Sequence, residues 1–145
     1  MLIGHLALTS AAIFTGAAFY VNVVEQPARL LIDDRALLAE WKPSYKRGAA
    51  MQAPLALAGF LLGLIAWWQA SHGEFLVGAI AMIAPWPWTL IAIKPTNDAL
   101  LATDNDKAGP PVRALVVRWG GLHAVRTALG ALATLAFLWA CIAPS

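Results

Sequence analysis

Four apolar runs, Ile3 to Val24, Ala49 to Gln69, Phe75 to Ile93 and Leu122 to Ile142, occupy most of this 145-residue chain. Each is about 20 residues long, enough for a helix to cross roughly 30 Å of hydrocarbon. Charged residues make up 12% of the chain, against about 25% in a typical soluble domain. A water-soluble helical core would use shorter helices with a charged face. The cations complete the constraint. Arg29, Arg35, Lys42, Lys46 and Arg47 lie between the first and second runs, and Lys94, Lys107, Arg113 and Arg118 between the third and fourth. Both chain ends and the stretch Ser71-His72-Gly73-Glu74 carry no Lys or Arg. By the positive-inside rule, this predicts an all-α membrane protein in the cell (inner) membrane, a four-transmembrane-helix up-down bundle. Loops 25–48 and 94–118 are expected in the cytoplasm and both termini outside. One domain is expected over 1–145, with helices at about 3–24, 45–69, 75–93 and 112–142.

The formal charge of +2 resides in the loops, so it reports topology and gives no ground for a nucleic-acid partner. The first run lacks a positive n-region and a small-residue cleavage site, and is read as a mature helix. Cys141 is the single cysteine, which excludes an internal disulfide and Cys-x-x-Cys metal sites.

Along the chain, Ala12, Gly16 and Ala17 would let a neighbour approach helix 1 closely, as would Gly59-x-x-x-Gly63 on helix 2. A homo-oligomer is compatible with the sequence, which does not select an oligomeric state. The first loop is expected to start at Gln26-Pro27. Asp33 and Asp34 would cap a short amphipathic interfacial helix over 35–41, stopped by Pro43. Pro85-Trp86-Pro87-Trp88 predicts a kink or break in helix 3. After Lys94-Pro95, Thr96, Asn97 and Asp98 are candidate caps of a short helix, and Pro110-Pro111 suits the first turn of helix 4. A faint repeat runs through both halves: a helix ending near a proline, a Leu-Leu pair, then Trp41-x-x-x-Tyr45 or Trp119-x-x-x-His123.

Polar groups at membrane depth cost several kcal/mol unless paired, and mark candidate sites. Counting about 1.5 Å per residue places Glu25, Gln52, Lys94, His123 and Arg126 in one layer near the cytoplasmic side. Trp119, His123, Arg126 and Gly130 share one face of helix 4, Tyr45 and Gln52 one face of helix 2, and Asn22 and Glu25 one face of helix 1. Turned inward, these faces make a polar pocket roofed by the loops. Its expected pairings are Glu25 with Arg126 or Arg47, and His123 with a carboxylate or Asn97. Alone, Arg126 could snorkel to headgroups and the tryptophans could form an interface belt. The shared layer is what points to a site. No His-x-x-x-His or Glu-x-x-His pair occurs, so neither a metal nor another cofactor is expected.

The motifs Glu25-x-Pro27, Trp41-x-x-x-Tyr45-x-Arg47, Pro95-Thr96-Asn97-Asp98-x-Leu100 and Trp119-x-x-x-His123-x-x-Arg126 resemble those of the anthrone oxygenase-like family of small four-helix membrane proteins. The resemblance implies oxidation of a hydrophobic aromatic, anthrone- or quinol-like small molecule by molecular oxygen, without a recognised cofactor. Such chemistry needs a base, donors for an enolate oxygen and a dry, flat pocket. His123 or Glu25 would be the base, and Arg126 with Asn97 or Tyr45 the anion stabilisers. Trp88 and Trp119 would be stacking walls, with Gln52 and Arg47 also contacting substrate. The competing reading is a non-catalytic lipid- or small-molecule-binding protein, or an accessory subunit of a membrane complex. The topology is testable by itself: a cysteine introduced at Ser71 should label only from outside, and one at Asp106 only from the cytoplasm. The reverse pattern would overturn the orientation.

Overall fold

The computed structural model describes residues 2–142; the termini themselves lie outside the described residues, so their expected placement is not addressed. Four helices, each long and apolar enough to cross a membrane, make up the fold: α1 Leu2–Arg29, α2 Asp34–Ala70, α3 Gly73–Ala102 and α4 Pro110–Ile142. No strand occurs among the described residues. The helices run up and down, and α1 packs on α2 and α4, which in turn flank α3. The four-helix bundle expected from the apolar runs is the architecture observed.

Three of the helices run farther than expected, and a proline lies in each extension. Helix α1 does not end at Glu25. Its residues Val21–Glu25 form a π turn, with the Gln26 N–H reaching back to the Val21 carbonyl, and the helix continues through Pro27 to Arg29. The wider turn offers a place for a residue that has no N–H to donate. Helix α3 repeats the device. At Ala84, ahead of Pro85 and Pro87, its regular pattern is interrupted for a single residue while the backbone stays helical, with the Ala84 N–H still bonded to the Ile80 carbonyl. It then forms a π turn over Thr89–Ile93 just before Pro95.

Pro43 does not stop a separate interfacial helix. The segment from Asp34 onward is helical, but it is the start of α2, which runs unbroken through Pro43 and Pro54 to Ala70. A proline inside a helix costs about 3 kcal/mol. Leu37, Leu38 and Trp41, one turn before Pro43, are fully buried; at about 1.5–3 kcal/mol per large apolar side chain their burial outweighs that cost. Asp33 caps the helix, accepting from the Ala36 N–H at 3.0 Å.

The apolar core is divided in two. Near the α2–α3 turn it is built from small residues and rings: Ala7, Ala11, Phe14, Ala66, Phe75, Ala133 and Phe137. The seam of α1 is therefore Gly4, Ala7, Ala11 and Ala18, whereas Ala12 and Gly16, expected at the interface, are exposed. Near the other end a second cluster holds Leu37, Leu38, Trp41, Leu100, Val116 and Trp119. Arg113 clasps that end. It donates to the Leu30 and Ile32 carbonyls at 2.7 and 2.5 Å and to Asp34 at 2.5 Å, holding the α1–α2 connection onto α4.

Phe137 sets the closest approach in the small-residue core. A methyl added at Gly78 would lie 2.4 Å from its ring, and one at Gly63 2.7 Å from it. A methyl at Gly59 would meet the Met82 side chain, 2.6 Å from Cε and 3.1 Å from Cγ, and that side chain is flexible. Gly78→Ala should therefore lower stability in detergent by about 1–3 kcal/mol, with Gly59→Ala milder. Gly48→Ala, with open space around it, should be neutral or stabilising. Thermal unfolding of the three variants checks the order.

Candidate functional site

Between the two apolar clusters lies a polar layer, and all four helices contribute to it. It borders a cavity of about 450 Å³. Glu25 reaches the cavity from α1, Tyr45, Arg47 and Gln52 from α2, Asn97 from α3, and Trp119, His123 and Arg126 from α4. Eight of the nine residues singled out from the sequence thus share one cavity. Trp88 does not line it. Its indole N–H donates to the Leu122 carbonyl at 2.9 Å, so it ties α3 to α4.

The roof differs from expectation as well. Fully buried Leu37, Leu38 and Trp41 separate the polar layer from the loops, because α2 extends over it. The cavity opens instead on the flank between α1 and α2, where the lining residues Tyr20, Arg47 and Met51 are exposed. A smaller cavity of about 140 Å³ opens between α2 and α3, beside Ala53, Trp86 and Leu90. Ala49, Thr89 and Arg126 border both.

The partners inside the layer are not those the sequence indicated. Glu25 pairs neither with Arg126 nor with Arg47. It forms an ion pair with Arg29, one helical turn away, and accepts a hydrogen bond from Ser44. Arg29 is only 3% exposed; its Nε lies 2.9 Å from Glu40 and its guanidinium 5.7 Å from the centre of the Trp119 ring. Two carboxylates thus surround this cation. Extension of α1 past Pro27 is what brings Arg29 inside, and the Glu25-x-x-x-Arg29 spacing was the available signal.

Arg126 is the opposite case. It donates to Thr89 Oγ1 at 2.7 Å and to Gln52 Oε1 at 3.0 Å, and its Nε is buried without an acceptor. Among the described residues no carboxylate lies within ion-pairing distance of it. Arg126 is half-buried, and besides these two neutral acceptors its guanidinium meets the Phe14 ring, 5.7 Å from the ring centre. A partly desolvated cation without a carboxylate is costly and is electrostatically prepared for an anion.

His123, 5% exposed, stacks on Trp119 with ring centres 4.9 Å apart. Its hydrogen-bond partner is neither a carboxylate nor Asn97 but Asn22, whose Oδ1 lies 2.9 Å from Nδ1. Asn97 is no helix cap; it faces inward and accepts from the Trp119 indole at 2.9 Å. Tyr45 lies flat on Trp41, with centres 5.0 Å apart and 2° between planes, and Trp41 meets Trp119 edge-on at 5.8 Å. The cavity therefore joins a flat aromatic wall, a histidine and an uncompensated guanidinium, a set suited to taking a proton from a flat molecule and holding the resulting anion.

Comparison with known proteins places the chain in a family. A family model described as anthrone oxygenase matches residues 41–136. The chain is 30% identical to the anthrone oxygenase tpcL of Aspergillus fumigatus over 131 residues, covering 83% of this chain and 81% of that protein. It is 28% identical to an anthrone oxygenase of Claviceps purpurea over 140 residues, covering 86% and 79%. No solved structure matches. The chain belongs to the anthrone oxygenase family.

Proposed function

We propose that this chain is an integral membrane oxygenase that converts the methylene of a hydrophobic aromatic ketone, an anthrone-like compound, into a carbonyl with molecular oxygen. The observation that carries the reading is Arg126: a half-buried guanidinium with an unpartnered Nε and no carboxylate within ion-pairing distance among the described residues, bordering the same cavity as His123. The two relatives named as anthrone oxygenases supply the substrate class. A cavity of about 450 Å³ supports occupancy by a ligand over a structural lock filled with side chains.

The residues divide the work as follows. His123 takes a proton from the methylene, and the electron pair spreads onto the ketone oxygen as an enolate. Arg126 faces that oxygen, with Gln52 and Thr89 holding the guanidinium in place. Trp119 and Tyr45 supply flat surfaces for the rings. The carbanion forms a carbon–oxygen bond with dioxygen, which is reduced to the peroxide level. Protonation gives a hydroperoxide; loss of the remaining C–H proton and cleavage of the O–O bond then release water and leave the new carbonyl. Glu25 is already engaged by Arg29 and Ser44, which favours His123 over Glu25 as the base.

Purified protein incubated with a panel of anthrones and quinols, with oxygen uptake and product followed, tests the reading. Uptake above the spontaneous rate, with carbonyl product, is expected for anthrones; none across the panel would reject it. Within that assay, His123→Gln should fold yet lose roughly 10²–10⁴ in rate, the usual contribution of a general base. A well-folded His123→Gln protein at the wild-type rate would pass the role to Glu25. Arg126→Lys keeps the charge but not the fork geometry, and should fall between the two in rate.

A further inference from the structure

Asn22 lies outside the cavity wall, yet it makes three side-chain hydrogen bonds, all to α4. Its Nδ2 donates to the Gly120 carbonyl at 2.9 Å. Its Oδ1 accepts from Thr127 Oγ1 at 2.7 Å and faces His123 Nδ1 at 2.9 Å. The amide cannot be turned round. A flip would aim NH2 at the histidine and hydroxyl, and a carbonyl oxygen at the carbonyl oxygen of Gly120. With the oxygen held toward the ring, Nδ1 must carry the proton, and the lone pair is on Nε2.

We propose that Asn22 is a positioning residue that holds His123 in the Nδ1–H tautomer, so that Nε2 is the basic nitrogen of the site. The inference rests on His123 being the base proposed above. The surrounding fold is built to deliver this contact. Asn22 sits in the π turn Val21–Glu25, and one turn on, Gln26 Nε2 donates to the Val116 carbonyl at 2.8 Å. The two amides occupy successive turns of α4, Gly120 and Val116, and fix the register of α1 against it. Gly120 must lack a side chain for this, since a methyl there would lie 2.7 Å from the Gln26 amide nitrogen. Thr127, one turn beyond His123, fills the second lone pair of the Asn22 oxygen. Asn22 acts on the reaction only through the imidazole, because it does not reach the cavity.

The imidazole ¹⁵N resonances of the histidines, recorded on the full-length protein in lipid, read the tautomer directly. Comparison with His123→Gln assigns the signal. Wild type should show a protonated Nδ1 and a lone-pair Nε2 at position 123. Asn22→Leu, similar in size but without an acceptor, should lose that preference and lower kcat roughly 10- to 1,000-fold, with KM changed less than about twofold because the cavity wall is intact. Thr127→Val leaves the amide oxygen facing the ring and should preserve the tautomer, which guards against an Asn22→Leu protein that fails to fold. An Nε2–H tautomer in wild type would overturn the proposal. So would an Asn22→Leu protein with unchanged tautomer and kcat, or a Thr127→Val protein without the Nδ1–H form. If the tautomer follows Asn22 while His123→Gln turns over at the wild-type rate, the general-base reading fails and the assignment of Asn22 to the tautomer stands.

Discussion

Two side-chain amides on α1 lie against main-chain carbonyls of α4, and the rest of the polar layer depends on that contact. Helical carbonyls already serve their own helix, so a second donor reaches them only where a neighbour comes very close. Gly120 permits the approach and the π turn aims the donors. Once α1 is seated, Glu25 and Arg29 lie one turn apart on its inner side, Arg29 comes to rest over Trp119, and the histidine meets its asparagine. Slipping α1 by one residue would turn each of these groups by about 100° and leave it without a partner in an apolar setting. Polar pairing here specifies register, while the apolar clusters above and below supply the bulk of the burial.

Much of this was legible in the chain. Apolar run length and the placement of cations indicate four helices, and stripes such as Trp119, His123 and Arg126 follow from a helical period. That is why eight of the nine singled-out residues converge. The partners were harder to read because they depend on where helices end. Taking Pro27 and Pro43 as stops put Arg29 in a loop and left Trp41 outside helix 2. A proline preceded by a π turn, or sitting beside a fully buried Leu-Leu-Trp set, does not break a helix, and neither circumstance is visible in local propensity. Asn97 looked like a cap for the same reason: with helix 3 ended at Lys94-Pro95, an asparagine just beyond it is a natural N-cap for a new short helix. Trp88 carried no signal separating a wall residue from a strut between α3 and α4.

The faint sequence repeat acquires a physical form in the bundle. Each odd-numbered helix carries a π turn followed by a proline, at Val21–Glu25 with Pro27 and at Thr89–Ile93 with Pro95. Each even-numbered helix then offers a tryptophan with a ring stacked on it four residues later, Tyr45 on Trp41 and His123 on Trp119. The two tryptophans meet edge to face, so the halves join at matching residues. The chemistry breaks the match. One half presents a phenol, the other an imidazole. Arg29, ringed by carboxylates, comes from the first half, whereas Arg126, with none, comes from the second.

Both openings of the site are on the sides of the bundle, one on either side of α2. In the proposed bilayer setting these doors would open toward lipid, with Arg47 at the rim of the larger one, on the side nearer the cytoplasm. At equilibrium, occupancy follows the chemical potential of a compound, which is equal in lipid and water, so a side door does not tighten binding. What it changes is traffic. On the proposed function, a flat apolar molecule would reach Arg126 by diffusing in two dimensions among lipid tails, without the cost of re-entering water, and dioxygen, itself more soluble in hydrocarbon, would take the same medium. An oxidised product would leave into the phase that supplied its precursor. Flux would then scale with the load of compound carried by the membrane, and an oxygenase so placed would draw on a reservoir that is nearly invisible to measurements of dissolved concentration.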